Sequence, residues 1–396
     1  MKLLLNSSPL IPPLSGIGRY TQQLLIHLLD EPEIEDINGF VPFAFYSRQE
    51  LLKMVGDLQQ EEKNSYSDRG AVTNLSRLKQ LAKKVPAARY IKQKLQQTLV
   101  ERKFKQYHEH VYWESNYVLA PFAGTKVATV YDLSHIRYPD FHPSDRLKWL
   151  DEKLPHTIEH ADALVAISEF SKQEIISVFN VNPELISIVP PAVAPIFRCV
   201  HKQTQLQQLK KEYQLPKQFI LSVGTLEPRK NIKGLVQAFS RLPQRLRQNY
   251  PLVLAGAKGW HMEEIEKVIQ PLLSRGELIL LGYVAQQDIP LLYAAASVFA
   301  YVSLYEGYGM PVAEAMCSGT AVLTANVASM PEVAAGCAEL VAPDNIEQIS
   351  EKLQELLEDI PKREALQNKA KLASNEYRWE NSAKQLLAVF QSAVNS

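Results

Sequence analysis

The stretch "SVFAYVSLYEGYGMPVAEAMCSGTAVLTA", residues 297–325, decides the fold. It opens on a short apolar and aromatic run, 297–306, of the kind buried on both faces of a parallel sheet. Gly307-Tyr308-Gly309 then loosens the backbone, because glycine has no Cβ to restrict it. Pro311 suits the first position of a helix and Gly319 its C′ stop. "TAVLTA", 320–325, is a second buried strand. Strand, helix and strand in so few residues make a βαβ unit, whose two strands lie parallel.

The same rhythm extends outward. "FILSVGTL" (219–226), "PLVLAGA" (251–257), "ELILLGYV" (277–284) and "AELVAP" (338–343) are further buried strands. Helical patterns separate them, from Asn231 to about Leu246, around 260–274, around 287–296 and from about 345. The first half repeats the idea less regularly in "KLLLNS", "GFVPFAFY", "VATVYDL", "ALVAIS" and "LISIVPP". Ser171-Lys-Gln-Glu174 reads as a capping box that opens one of its helices. "VPPAVAPIF" (189–197) and the polar residues after it read as a linker. At 396 residues the chain exceeds one ordinary core. The prediction is α/β: two Rossmann-like, doubly wound domains facing across a cleft, with ligands at the carboxyl ends of the strands.

Composition narrows the class. The chain is 46% hydrophobic and 22% charged, with a formal net charge of zero, so overall charge gives no reason to expect nucleic acid. The three cysteines, Cys199, Cys317 and Cys337, form no CxxC pair and read as thiols of a reducing compartment. "MKLLLNSSPLIPPL" is too interrupted for a signal-peptide core, and no long apolar span follows, so a cytoplasmic location is expected. Residues 76–105 crowd Lys and Arg against a single acid, Glu101, with Leu78, Leu81, Val85, Ile91, Leu95 and Leu99 at helical spacing. That segment is expected either as a solvated helical hairpin or as a peripheral contact with anionic membrane.

The opening stretch also carries chemistry. The amides around Tyr308, Gly309 and Met310 stand at a helix N-terminus, which attracts phosphate or electron-rich sugar oxygens. Glu306 lies in the loop before that helix and Glu314 one turn inside it. A carboxylate beside a phosphate repels it, so each glutamate needs hydroxyls from which to accept hydrogen bonds. A nucleotide-sugar supplies them, on its ribose and on its hexose. Arg229 and Lys230 follow a strand and suit a diphosphate leaving group.

The segment E-G-Y-G-M-P-V-A-E-A-M-C-S-G resembles the glutamate-seven-residues-glutamate signature of retaining glycosyltransferases of family 4, which have the GT-B fold. Further matches follow in the family's order. "SGIGRY" (15–20) resembles its amino-terminal glycine loop, "ALVAISEFSK" (163–172) a late strand and helix of the first domain, and "GTLEPRKN" (224–231) its phosphate loop. "LAGAKGW" and "LGYV" resemble its base-side strands, and "ASMPEV" (328–333) follows the signature. "YRWENSAKQLL" (377–387) resembles the helix that crosses back to the first domain. The resemblance implies an acceptor-binding domain over 1–200 with a basic helical insertion at 47–110. It implies a nucleotide-sugar-binding domain over 201–375 and a crossing helix at 376–396.

By the same resemblance Glu314 takes the ribose, Glu306 lies by the transferred sugar, and Gly16 and Gly18 offer amides to the diphosphate or the sugar. Where the family usually has arginine directly after the phosphate-loop glycine, Thr225 stands, and Arg229 is expected to carry the guanidinium. Where the family has His-Asp at a strand end, Tyr131-Asp132 stands. Either Tyr131 or the nearby His135 fills the histidine's place, with Asp132 beside it; His142 reads as structural. No Asp-x-Asp sequence accompanies these motifs, so metal-independent transfer with no cofactor is expected, with retention by front-side attack. "GTLEPRKN" together with "VYDLSHIRYPDFHP" resembles the bacterial mannosyl- and rhamnosyltransferases that build O-antigen and other surface polysaccharides, the mannosyltransferases being the preferred reading. It implies GDP-mannose as donor and a lipid-linked glycan as acceptor. UDP-glucose, UDP-N-acetylhexosamine and dTDP-rhamnose are alternative donors, and a non-catalytic nucleotide-sugar-binding protein is the alternative class.

Overall fold

The computed structural model describes residues 1–42, 44–64, 102–260 and 262–395. They form two α/β layers, each built on one twisted sheet. The first sheet contains β1 (Lys2–Asn6), β2 (Asp36–Val41), β3 (Ala44–Tyr46), β4 (Val111–Glu114), β5 (Lys126–Val130), β6 (Ala163–Ala166) and β7 (Ile186–Ile188). Its order is β3-β2-β1-β4-β5-β6-β7, parallel except for the β2–β3 hairpin. The second contains β8 (Ile220–Val223), β9 (Leu252–Ala255), β10 (Leu278–Gly282), β11 (Val298–Tyr301), β12 (Val322–Ala325) and β13 (Glu339–Val341). Its order is β10-β9-β8-β11-β12-β13, parallel throughout. Both are doubly wound, so the GT-B architecture read from the sequence is the one observed.

All six strands of the second sheet fall inside the runs predicted for them; the central ones, β8, β9, β11 and β12, are buried almost throughout and read as mainly apolar sequence, while the edge strands β10 and β13 are partly exposed. The first sheet differs at two places. "GFVPFAFY" is not one strand: Gly39, Phe40 and Val41 pair antiparallel with Tyr46, Phe45 and Ala44. Strand β4 does not stand out in the sequence, because "VYWE" is short and ends on a carboxylate. Glu114 is nevertheless buried, accepting from Asn6 Nδ2 at 2.7 Å, the Asn116 amide at 2.8 Å and the Tyr112 hydroxyl. The helix with the predicted capping box starts earlier. It spans Glu169–Phe179, and its N-cap is Ser168, whose hydroxyl accepts from the Ser171 amide at 3.0 Å.

The decisive helix spans Met310–Cys317, with Gly309 as N-cap at φ 100°. It ends in a Schellman motif, with Gly319 N–H bonding Met316 O and Thr320 N–H bonding Ala315 O, both at 3.0 Å. Part of the polar stretch read as linker is a helix, Gln203–Glu212, tied to the second layer by the Tyr213 hydroxyl on Asp288 at 2.6 Å. The last helix, Trp379–Asn395, packs along the helix Gly16–Leu29 of the first layer. Its Phe390 and Trp379 rings lie 5.9 Å from Trp113 and Tyr20. Most of the basic segment 76–105 lies outside the described residues. Among the described residues, no helix is long and apolar enough to cross a membrane.

Candidate functional site

In the second sheet β8 and β11 are neighbours, and the strand order runs away from them on both sides. Loops leaving such a switch point diverge and open a crevice. The loop after β8 carries Glu227, Arg229 and Lys230; the loop after β11 carries Tyr305 and Glu306. These side chains meet. Glu306 accepts from Lys230 Nζ at 2.6 Å, Arg229 Nη1 at 2.9 Å and the Tyr301 hydroxyl at 2.9 Å. Arg229 also holds Glu227 at 3.0 Å and donates to the Tyr305 carbonyl at 3.2 Å.

Glu227 and Glu306 are buried and Arg229 and Lys230 partly so, and the cluster, with two cations and two carboxylates, is formally neutral. Burial alone would raise the Glu306 carboxyl, but Lys230 and Arg229 outweigh it and hold it at about 2. Lys230 is shifted down, because burial and the adjacent Arg229 together exceed the pull of Glu306. Burial also opposes the Arg229 charge, yet Glu306 raises that guanidinium further. Lys230 spends one donor on Glu306 and one on the Tyr301 hydroxyl at 2.5 Å, leaving the third of its ammonium donors for a further acceptor.

Glu314 stands apart from this cluster. Its carboxylate accepts from the Tyr293 hydroxyl at 3.1 Å and faces a cavity of about 350 Å³ between the two layers, lined also by Arg19, Gln22, Gln287 and Met310. Burial pushes it up to about 7, against the Tyr293 hydrogen bond and the charge of Arg19. Tyr308 is buried, and its carbonyl, like that of Glu306, accepts from the Ser329 hydroxyl, at 2.7 and 2.9 Å. That serine fixes the turn ahead of the helix whose first residue is Met310.

From the first layer, Asp132 is placed at the carboxyl end of β5, where its Oδ1 accepts from the Ser134 amide at 3.0 Å and hydroxyl at 2.7 Å. His135 is buried in the short helix that follows; burial lowers it, against the opposing charges of Asp132 and Asp151. Tyr131 does not reach the cleft. Its hydroxyl donates to the Ser115 carbonyl at 2.8 Å, and its ring packs on Tyr20 and Tyr117. His142 is less plainly structural than its sequence position implied, since its Nε2 is buried without a partner. Gly18 does not offer an open amide: its N–H donates to Ser15 Oγ at 3.2 Å, and a Cβ there would meet the Pro9 carbonyl at 2.4 Å. Gly16, the first residue of that helix, is exposed.

Contacts the sequence did not announce close the layers on each other. A Cβ on Gly307 would stand 2.4 Å from the Tyr131 carbonyl oxygen, so only glycine allows this approach. The Gly307 carbonyl accepts from Ser168 Oγ at 2.7 Å and Ser171 Oγ at 3.1 Å. The Tyr305 hydroxyl accepts from the Leu133 amide at 3.0 Å and donates to Glu174, which also pairs with Arg137 at 2.7 Å. Glu332 accepts from the amides of Glu169 and Phe170 at 2.9 and 3.3 Å, an anion at a helix N-terminus. A second cavity, of about 620 Å³, opens beside Tyr305, walled by Tyr138 and Phe170 with Arg137, Glu174 and Asp344 at its rim. Among the described residues, no three His, Cys, Asp or Glu side chains gather as a metal-binding group.

Comparison with known proteins bears on this geometry. The family described as "Glycosyl transferases group 1" matches residues 205–373. The chain is 31% identical over 392 residues to the O-antigen chain mannosyltransferase B of Escherichia coli, covering 99% of this chain and 100% of that one. It is 34% identical over 243 residues to the serotype-specific mannosyltransferase WbdA of Escherichia coli, a match covering 60% of this chain and 30% of the relative. Among solved structures, Anabaena HepE in complex with UDP and glucose superposes with a TM-score of 0.68 at 16% identity, covering 99% of this chain and 100% of that one.

Proposed function

The chain belongs to the group 1 glycosyl transferases, and from that premise we propose that it moves mannose from GDP-mannose onto a lipid-linked glycan during assembly of a bacterial surface polysaccharide such as O-antigen. The observation that carries this reading is the meeting of Glu306, Arg229 and Lys230 at the switch point, with Glu314, on the helix that follows Glu306, facing an interlayer cavity. The choice of mannose is supported by the relative matched end to end, which is named a mannosyltransferase.

In this reading the diphosphate lies against Arg229 and the remaining donor of Lys230, which stabilise the charge that develops as the sugar leaves. No metal is needed for that task. Glu306 holds both cations in place and presents its loop to the transferred hexose. Glu314 accepts from the ribose hydroxyls. The acceptor reaches the sugar from the first layer, past Asp132 and His135, and the aromatic-walled cavity beside Tyr305 has room for its glycan. Front-side attack retains the anomeric configuration, and the leaving phosphate takes the acceptor's proton. Closure of the layers through Gly307 and Glu332 excludes water from the donor. The protein works in the cytoplasm, at the inner face of the membrane where such acceptors are held.

Ligand-induced thermal shift across GDP-, UDP-, dTDP- and CDP-sugars tests the reading. A shift with GDP-mannose that is lost in Glu314→Ala and in Arg229→Ala/Lys230→Ala is the expected result. A folded wild-type protein that responds to no nucleotide-sugar overturns it.

A further inference from the structure

The cavity that Glu314 faces holds a feature the proposed chemistry has not used. Gln22, on the helix Gly16–Leu29 of the first layer, is fully buried, and neither its amide nitrogen nor its amide oxygen has a hydrogen-bond partner. Gln287, from the second layer, leaves its buried amide oxygen unpartnered in the same way. Both line the cavity of about 350 Å³ that also receives Glu314 and Arg19, with Phe197 and Trp379 as apolar wall. Buried carboxamides are rarely left unmade, because the loss of hydration is not recovered.

A single water accounts for only about 30 Å³, a small part of this space. The volume falls within the range of small-molecule sites, roughly 300–1,000 Å³, and the pattern of apolar walls with a few convergent polar groups is theirs as well. The polar groups also specify what fits. Glu314, when ionised, only accepts hydrogen bonds, whereas a carboxamide accepts at one atom and donates at the other. A hydroxyl satisfies both ends of that amide, and a vicinal pair of hydroxyls satisfies the amide and the carboxylate together.

We infer that Gln22 is a donor-binding residue, whose carboxamide hydrogen-bonds the ribose diol of the nucleotide across the cavity from Glu314. This rests on the reading of the site as one for a nucleotide-sugar and adds a contact from the other layer. Because Gln22 and Glu314 belong to different layers, the nucleotide itself ties the layers together.

The test is calorimetric titration of the full chain with GDP, and in parallel UDP, on wild type and Gln22→Leu, with melting temperatures taken without ligand. Leucine removes the unmade polar atoms at similar volume, so the unliganded melting temperature is expected to hold or rise. Affinity for the nucleotide that wild type binds is expected to fall about tenfold or more. Wild type is expected to prefer GDP to 2′-deoxy-GDP, and the variant to lose most of that preference. Should Gln22→Leu not fold, Gln22→Asn, which retracts the amide by one methylene, is read the same way. Wild-type binding that the variant leaves within about twofold overturns the inference alone and assigns the amide to buried water. A wild type that binds neither nucleotide overturns the reading of the site, and this inference with it.

Discussion

Replacing Glu306 with glutamine keeps the shape of the side chain and removes its charge from between Lys230 and Arg229. The carboxyl sits at about 2 in the folded chain against an ordinary value of 4.5. That gap is worth about 3 kcal/mol of stability at neutral pH. An independent argument agrees: removing one partner of a buried ion pair and stranding the other costs about 3–5 kcal/mol. A depressed carboxyl stabilises above its unfolded value and loses that contribution as pH falls through its folded value. Wild type should therefore exceed Glu306→Gln by about 3 kcal/mol at pH 7, with the gap closing between about pH 4.5 and pH 2. For a unit of about 150–250 residues this is roughly 6–12 °C in melting temperature at pH 7. Paired melts of the two proteins across that range make the measurement. Equal melting temperatures at pH 7, or a gap that does not shrink as pH falls, would refute the electrostatic account of the cluster. Removing both charges, in Lys230→Met/Glu306→Leu, should recover part of the loss, because no buried charge then lacks its counterion.

Other parts of the account give further expectations. Glu314 is raised to about 7, so between 4.5 and 7 the folded chain binds more protons than the unfolded one, and stability falls as pH rises through that window. Glu314→Gln should accordingly melt higher than wild type at pH 8, by roughly 1–3 kcal/mol, while losing its response to nucleotide; a lower melting temperature would contradict the stated burial. Gly307→Ala places a carbon against the Tyr131 carbonyl and should hold the layers apart, read as a larger radius of gyration in solution scattering and a fall in transfer rate. Unchanged scattering and rate would show that the contact is unimportant. Glu332→Gln weakens an anion at a helix N-terminus by roughly 1 kcal/mol. Faster hydrogen exchange at the Glu169 and Phe170 amides is expected, and unaltered exchange would refute the contact.

Much of this fold was legible because buried parallel strands leave unbroken apolar runs, as in "PLVLAGA". Strand β4 was not, because its terminal Glu114 looks like surface until Asn6 and Asn116 are seen to satisfy it. Each of Glu306, Arg229 and Lys230 could be picked out by residue type and local motif. Their mutual pairing could not, since it depends on two loops brought together by strand order. Glu227 and Tyr301 escaped notice for the same reason, although Glu227 stands only two residues before Arg229. The interlayer contacts were the least legible. Glu174 reads as a capping residue but partners Tyr305, far along the chain, and Gly307 reads as a loosened turn but is a point of close approach to the other layer. The Gly18 amide, expected to face a ligand, is spent on Ser15.

The most direct test of the central claim is to follow labelled mannose from GDP-mannose into a polyprenyl-diphosphate-linked glycan, with wild type and Arg229→Ala/Lys230→Ala side by side. The account predicts α-linked mannose in the lipid fraction with wild type and almost none with the double variant. Transfer that survives the loss of both cations, or a folded wild type that binds GDP-mannose yet passes no sugar to any lipid-linked glycan, would contradict it.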